Sequence, residues 1–244
     1  MTSSDLWDEA TARRYDESAA AMFEPAVLDP VVEALAALAG SGRALELAIG
    51  TGRVAVPLAA RGVPVWGIEL SEPMVAQLRR KADPATIPVV VGDMATATVP
   101  GSFAVVYLVW NTIGNLRTQD EQVECFRNAA RHLEPGGRFV VEVGVPALRR
   151  LPPGQTAVPF DVDERHLGVD TYDVVSQQAI SHHVWTDDDG SIRRGTHHFR
   201  YVWPAELDLM ARLAGMELER RTADWRGTPF TAESDAHVSV WRRP

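Results

Sequence analysis

Ala44-Leu45-Glu46-Leu47-Ala48-Ile49-Gly50-Thr51-Gly52-Arg53 is the stretch on which the fold turns. It reads as a buried strand that ends in a glycine turn and feeds a helix. Gly50 and Gly52 carry no Cβ, so a ligand can approach the backbone there. Many α/β proteins pass from strand to helix through glycine, and the acidic residues sharpen the pattern. Glu46 precedes the turn, and a second apolar strand, Val65-Trp66-Gly67-Ile68-Glu69-Leu70, carries Glu69 at its end. That carboxylate lies about twenty residues past the turn, where doubly wound folds place an acceptor for ribose hydroxyls.

Working outward, strand and helix alternate strictly. Strands are predicted around 44–48, 63–69, 87–91, 103–109 and 138–143, with helices at about 52–60, 72–81 and 119–133. The run Phe103-Ala104-Val105-Val106-Tyr107-Leu108-Val109 is apolar throughout, as in a parallel strand buried on both faces. Right-handed crossovers then give a doubly wound sheet. Upstream, residues 5–22 read as a poorly amphipathic helix that includes Leu6, Trp7 and Tyr15. Pro25 and Pro30 punctuate the chain before a helix over 31–38.

The rhythm breaks at Pro146, and Pro152, Pro153 and Pro159 mark an irregular connector. Residues 169–202 read as antiparallel strands. Asp189-Gly190 is the hairpin signal, and a two-residue turn there sets Ile180 opposite Phe199 and His182 opposite His197. Pro204 opens a helix over 205–213, followed by strands at 216–222 and 236–241.

Composition bounds the function classes. The chain has 244 residues, 45% hydrophobic and 23% charged, which fits one large domain or one domain with an insert. A net charge of −9 is poorly suited to nucleic acid, whose binding rests on phosphate neutralisation. No apolar run approaches the ~20 residues that span a bilayer, and the polar start Met1-Thr2-Ser3-Ser4-Asp5 is unlike a secretory signal. A single cysteine, Cys125, excludes a disulfide framework and fits a reducing cytoplasm.

With these pieces in hand, the chain resembles a class I S-adenosylmethionine-dependent methyltransferase, particularly the sugar N-methyltransferase and glycine N-methyltransferase-like members that act on small molecules. The resemblance covers about residues 10–145 and the last three elements, in order. It is carried by Glu46 through Gly52, Gly67-Ile68-Glu69-Leu70-Ser71, Val91-Gly92-Asp93-Met94, and Leu133-Glu134-Pro135-Gly136-Gly137. The family has glycine where Ala48 stands. The resemblance implies S-adenosylmethionine as cofactor, lying against Ala48, Gly50 and Gly52. Glu69 would accept the ribose hydroxyls and Asp93 the adenine amino group, with Leu70, Met74 and Met94 alongside. Val109 and Asn111 would meet the methionine amino group, and Tyr15 resembles the tyrosine that closes over the cofactor. Bland readings stand beside these roles: Glu46 as an acceptor for backbone donors, Asp93 as a turn residue, Trp110 and the methionines as packing.

Seven histidines leave the acid–base question open. His182 and His197 are the candidate catalytic bases, and no metal site is expected from the two His-His pairs. The expected architecture is α/β: a seven-stranded, mostly parallel, doubly wound sheet with an antiparallel last strand and an antiparallel β insert after strand five. Its parts are a helical lid (1–42), a cofactor-binding core (43–145), a substrate-capping insert (146–203) and the closing helix and strands (204–244). The expected reaction is methyl transfer to nitrogen or oxygen of a small organic acceptor, without nucleic-acid or membrane partners, and compatible with a homodimer. Two rivals remain. Gly50-Thr51-Gly52-Arg53-Val54-Ala55 also satisfies the loose dinucleotide pattern of a nicotinamide-dependent oxidoreductase. A relative that binds S-adenosylmethionine without methylating would share the same pocket.

Overall fold

The computed structural model describes residues 7–244; Asp5 and Leu6 of the expected first helix, and the residues before them, lie outside that range. A seven-stranded sheet has the order β3-β2-β1-β4-β5-β11-β10. Its members are β1 (Ala44–Leu47), β2 (Val65–Glu69), β3 (Val89–Val91), β4 (Phe103–Leu108), β5 (Leu133–Gly144), β10 (Glu217–Thr222) and β11 (Ala236–Arg242). Strands β1 to β5 pair in parallel, while β11 runs antiparallel to both β5 and β10. Every residue of β1 and β4 is buried, which explains their uninterrupted apolar sequence.

Helices cover both faces. On one side, α5 (Gln119–His132) and α6 (Pro204–Leu213) bury Phe126, Ala129, Leu207 and Met210 against Leu45, Val106 and Phe139. On the other, α2 (Pro25–Ala39), α3 (Ala55–Ala60) and α4 (Glu72–Leu78) bury Leu35, Leu58 and Leu78 against Val105 and Val240. Thr118 and Glu121 form a reciprocal capping box that starts α5 sharply.

Two prolines behave differently from their reading as breakers. Helix α2 begins at Pro25, and Pro30 sits inside it. Proline at that position leaves the carbonyl four residues back without its helical donor. Arg226 supplies the replacement, donating from Nη2 to the Ala26 carbonyl at 2.6 Å. The expected helix over 5–22 is α1 (Glu9–Ser18), capped by Asp8, followed by a 3₁₀ turn over Ala20–Phe23.

The insert is a four-stranded antiparallel sheet in the order β6-β7-β8-β9, made of Ala157–Val162, His166–Asp173, Gln178–Thr186 and Ile192–Arg200. Strand β6 falls within the expected connector. It tolerates Pro159 because it is an edge strand, with a bulge between Pro159 and Asp161. The β8–β9 register also differs from the expected one by a residue. Ala179 pairs with Phe199, Ser181 with His197 and His182 with Thr196. The loop has three residues, Asp188-Asp189-Gly190: the Asp187 amide donates to the Ser191 carbonyl at 2.9 Å. Gly190 adopts φ +80°, as the third position of such a loop requires. A one-residue slip changes which side chains share a face. Here it puts His183, not His182, beside His197.

Candidate functional site

The carboxyl ends of β1, β2, β4 and β5 face one side of the insert across a cleft of about 1370 Å³. Arg200, at the end of β9, holds the two together. It is buried and bonds to Gln122 on α5, to Gln177, and to Glu206 on α6 at 2.6 Å.

Glu69 is the organising carboxylate of the cleft. Its Oε2 accepts from the Gly50 amide at 2.8 Å and its Oε1 from the Ser71 amide at 2.9 Å. Burial raises its pKa, and these backbone donors oppose the rise. Each carboxylate oxygen can accept more than one hydrogen bond, so a paired diol fits the remaining capacity. Gly50, at φ +57°, opens toward the cleft; a Cβ there would first meet the Met74 methyl at 3.5 Å. Gly52 is not on the cleft wall. Its φ is +80° and a Cβ would strike the Leu78 side chain, so it serves the packing of α4. Asp93 lines the cleft, its Oδ1 accepting from the Ala95 amide at 2.7 Å. Leu70, Met74 and Met94 are beside it, and Val109 and Asn111 come from the end of β4.

Beneath the turn lies a polar cluster. Tyr107 donates its hydroxyl to Glu46 Oε2 at 2.9 Å. Burial pushes the Glu46 carboxyl up to about 8, against the opposing pull of Tyr107 and Arg53. Arg53 is itself buried, with its guanidinium 5.7 Å from the Trp110 ring centroid. Tyr15 lines the cleft above them, its pKa raised chiefly by burial. Helix α1 is fastened to the turn through Asp16, which accepts from Thr51 Oγ1 at 2.6 Å and pairs with Lys81. The Ser71 hydroxyl donates to the Trp7 carbonyl at 2.7 Å.

On the insert side, Asp170, Ser181, His183, His197 and Phe199 line the cleft. His197 is held uncharged, pushed down to about 4 by burial first and then by Arg117. His182 is not part of this wall; its Nε2 lies 3.0 Å from Thr171 Oγ1 on the opposite face of the sheet. No group of three or more His, Cys, Asp or Glu side chains is arranged to hold a metal ion among the described residues.

Comparison with known proteins accounts for this cleft. Residues 44–137 match a family described as a methyltransferase domain. The structure of the CcbJ methyltransferase from Streptomyces caelestis superposes with a TM-score of 0.79 at 40% identity, over 88% of each chain. The chain is a class I S-adenosylmethionine-dependent methyltransferase. The cypemycin N-terminal methyltransferase of a Streptomyces species is 29% identical over the full length of both chains. The amino pentose methyltransferase CalS10 from Micromonospora echinaspora, solved with S-adenosylmethionine bound, shares the fold, with a TM-score of 0.70 at 21% identity over 89% of this chain and 90% of that one. As a member of this family, the chain takes S-adenosylmethionine as methyl donor, and the nicotinamide-dependent reading of the glycine turn is set aside.

Three features of this methyltransferase's cleft escaped the sequence reading. In the sequence Arg53 is only the residue after the turn, although an arginine beside a strand-end glycine pair is a usable signal. His183 depended on the hairpin register. The third is backbone strain: Ala48, Trp110 and Asn111 all have positive φ, at 54°, 57° and 60°. An L-residue in the left-handed region costs roughly 1–2 kcal/mol relative to the right-handed one. The β4 end is held there by neighbours. The Trp110 amide donates to Glu142 Oε2 at 2.9 Å, and Asn111 Oδ1 accepts from the Gly144 amide at 2.6 Å. Ala48 has the conformation that suits the family's glycine but carries a methyl group. Ala48→Gly is therefore expected to raise stability by about 0.5–1 kcal/mol, the relief of strain exceeding the added chain entropy. Urea denaturation checks this; a loss of stability would mean that the methyl's packing outweighs the strain.

Proposed function

We propose that this methyltransferase places its methyl group on the nitrogen of a small amine acceptor held between the strand ends and the insert. S-adenosylmethionine supplies an electron-poor methyl on a sulfonium that departs as a neutral thioether. The chain's own residues bind and orient. Glu69 takes the ribose hydroxyls, Asp93 the adenine amino group beside Met94, and the Gly50 backbone, Leu70 and Met74 form the wall. Arg53 suits a carboxylate, Val109 and Asn111 the adjoining ammonium, and Tyr15 covers them. Holding nucleophile and methyl in line supplies much of the acceleration.

The observation that carries the choice of nitrogen is Asp170. It lines the cleft, accepts from Ser181 Oγ at 2.6 Å and Tyr172 OH at 3.2 Å, and has no ion-pair partner among the described residues. A carboxylate so placed attracts an acceptor that arrives as an ammonium ion, and gives a neutral alcohol no such advantage. Phe199 and Trp185 add the apolar surface typical of small-molecule sites. His197, being uncharged, adds polarity to this wall without repelling a cation. The name of the full-length relative, an N-terminal methyltransferase, agrees.

The test is product mapping with S-adenosylmethionine and four acceptors. Two are amines, a short peptide with a free α-amino group and a nucleotide-linked amino sugar. The other two are their hydroxyl analogues. Methylation at nitrogen in either amine is expected; methylation confined to the hydroxyl analogues would overturn the proposal.

A further inference from the structure

Strands β6, β7 and β8 bring together three side chains that cofactor binding does not use. Asp161 Oδ2 is 2.7 Å from His166 Nδ1, and His166 Nε2 is 2.9 Å from His183 Nδ1. All three line the cleft. The rings are held flat. His166 and His183 lie edge to edge and nearly coplanar, with centroids 5.2 Å apart and planes 12° apart, and the His183 ring is parallel to that of Trp185, with centroids 4.9 Å apart and planes 1° apart. Phe160 closes the edge of His183 at 5.4 Å.

We propose that Asp161–His166–His183 is a proton relay whose outer end, His183 Nε2, is the general base for the acceptor nitrogen. This rests on the amine reading above. Elementary hydrogen-bond chemistry fixes the polarity of the chain. An ionised carboxylate only accepts, so His166 carries its proton on Nδ1. Neutral His166 then has a bare Nε2, which can only accept, so His183 carries its proton on Nδ1 as well. Neutral His183 is left with an unprotonated Nε2 at the end of the line. Among the described residues, nothing else in the cleft presents a base prepared in this way. His182 faces away, and His197 has no carboxylate behind it.

The step balances simply. An amine that enters as R–NH3⁺ has no free electron pair. Its N–H bond breaks and the proton goes to His183 Nε2, forming imidazolium. The freed pair makes the new N–C bond as the methyl's bond to sulfur breaks, its electrons staying on sulfur. The positive charge left on His183 is supported through His166 by Asp161. The groups facing His183 decide whether it is neutral when the acceptor arrives. Asp161 on β6 and Asp170 on β7 favour its protonation. His166 on β7, His182 on β8, and His197 and Arg193 on β9 disfavour it. Burial and His166 prevail, holding the imidazole below its ordinary range.

Two measurements test the relay. Nitrogen–proton correlation NMR of the protein without substrates reads the tautomers directly. Both His166 and His183 are expected as Nδ1–H at pH 7.5 (about a unit above the ordinary histidine value). A proton on His183 Nε2 overturns the proposal. Kinetics with the amine that turns over in the acceptor panel supplies the second readout. His183→Gln is expected to lower kcat roughly 10²-fold near neutrality, with S-adenosylmethionine affinity by calorimetry unchanged. The deficit should shrink as pH rises toward the amine's own pKa, where free amine needs no base. Asp161→Asn should reproduce part of the loss. A deficit constant across pH, or full activity in His183→Gln, refutes the base role. If only hydroxyl groups are methylated while both histidines show the Nδ1–H form, it is the amine reading that fails. If nitrogen is methylated and the tautomers are wrong, it is the relay.

Discussion

Glu69→Ala is expected to weaken S-adenosylmethionine binding by about 2–3 kcal/mol, a loss of roughly 30- to 150-fold in affinity. Two contributions act together. On the proposed role of Glu69, a charged acceptor for two hydroxyls disappears, and such bonds are worth about 1.5–3 kcal/mol each before the cost of holding the carboxylate out of water is set against them. The substitution also strips the acceptor from the Gly50 and Ser71 amides. Leaving the buried Ser71 N–H unpaired costs about 1–3 kcal/mol, and the part-buried Gly50 N–H less, so the free protein should lose stability as well. Glu69→Gln separates the effects. Its single carbonyl oxygen can keep one of the two amides, so it should recover much of the stability and less of the affinity. Calorimetric affinity equal to wild type in the alanine variant would remove Glu69 from the site.

What was legible in the sequence follows a physical division. The core announces itself because burial on both faces forces uninterrupted apolar strands. The glycine turn and Glu69 are legible because the strand-to-helix turn needs the left-handed backbone of Gly50, and Glu69 at the end of β2 accepts from that turn's amide. Pro30 and Pro159 read as breakers because each is accommodated from elsewhere, one by Arg226 from 196 positions away, the other by its edge position in a sheet. The hairpin failed on a single residue of loop length. Asp-Gly suits a two-residue turn, yet Gly190 also serves as the left-handed third residue of a longer loop. That one residue exchanges His182 for His183 on the cleft wall. The relay was invisible for a further reason: it needs three strands in register, and β6 lay inside what read as a connector. The strain at Ala48 could be suspected from the family's glycine, but that at Trp110 and Asn111 comes from hydrogen bonds to β5.

Glu46→Gln is expected to change the pH dependence of stability more than any other single substitution in the cleft. Glu46 is buried among Tyr107, Arg53, Tyr15 and Glu69, and burial pushes its carboxyl from an ordinary value of 4.5 to about 8. The sign follows from proton counting. Between those values the unfolded chain has released this proton while the folded chain keeps it, so raising the pH favours unfolding. The group's effect is nil below about pH 4.5. It grows through the window and is complete above about pH 8, on the order of a few kcal/mol at full size. Glutamine has the shape of the protonated acid and its carbonyl can accept from Tyr107, but it has no proton to lose. The variant should therefore match wild type near pH 4.5 and exceed it increasingly toward pH 8.5. His197 and His237, both held down to about 4, add their own slope below neutrality. They do so equally in both proteins and cancel in the difference. Denaturant midpoints at half-unit pH steps measure that difference. Parallel curves for the two proteins would mean that Glu46 is ionised in the fold, with Arg53 as its true counter-ion. In that case glutamine should destabilise at every pH above about 5, because a buried guanidinium would lose its partner.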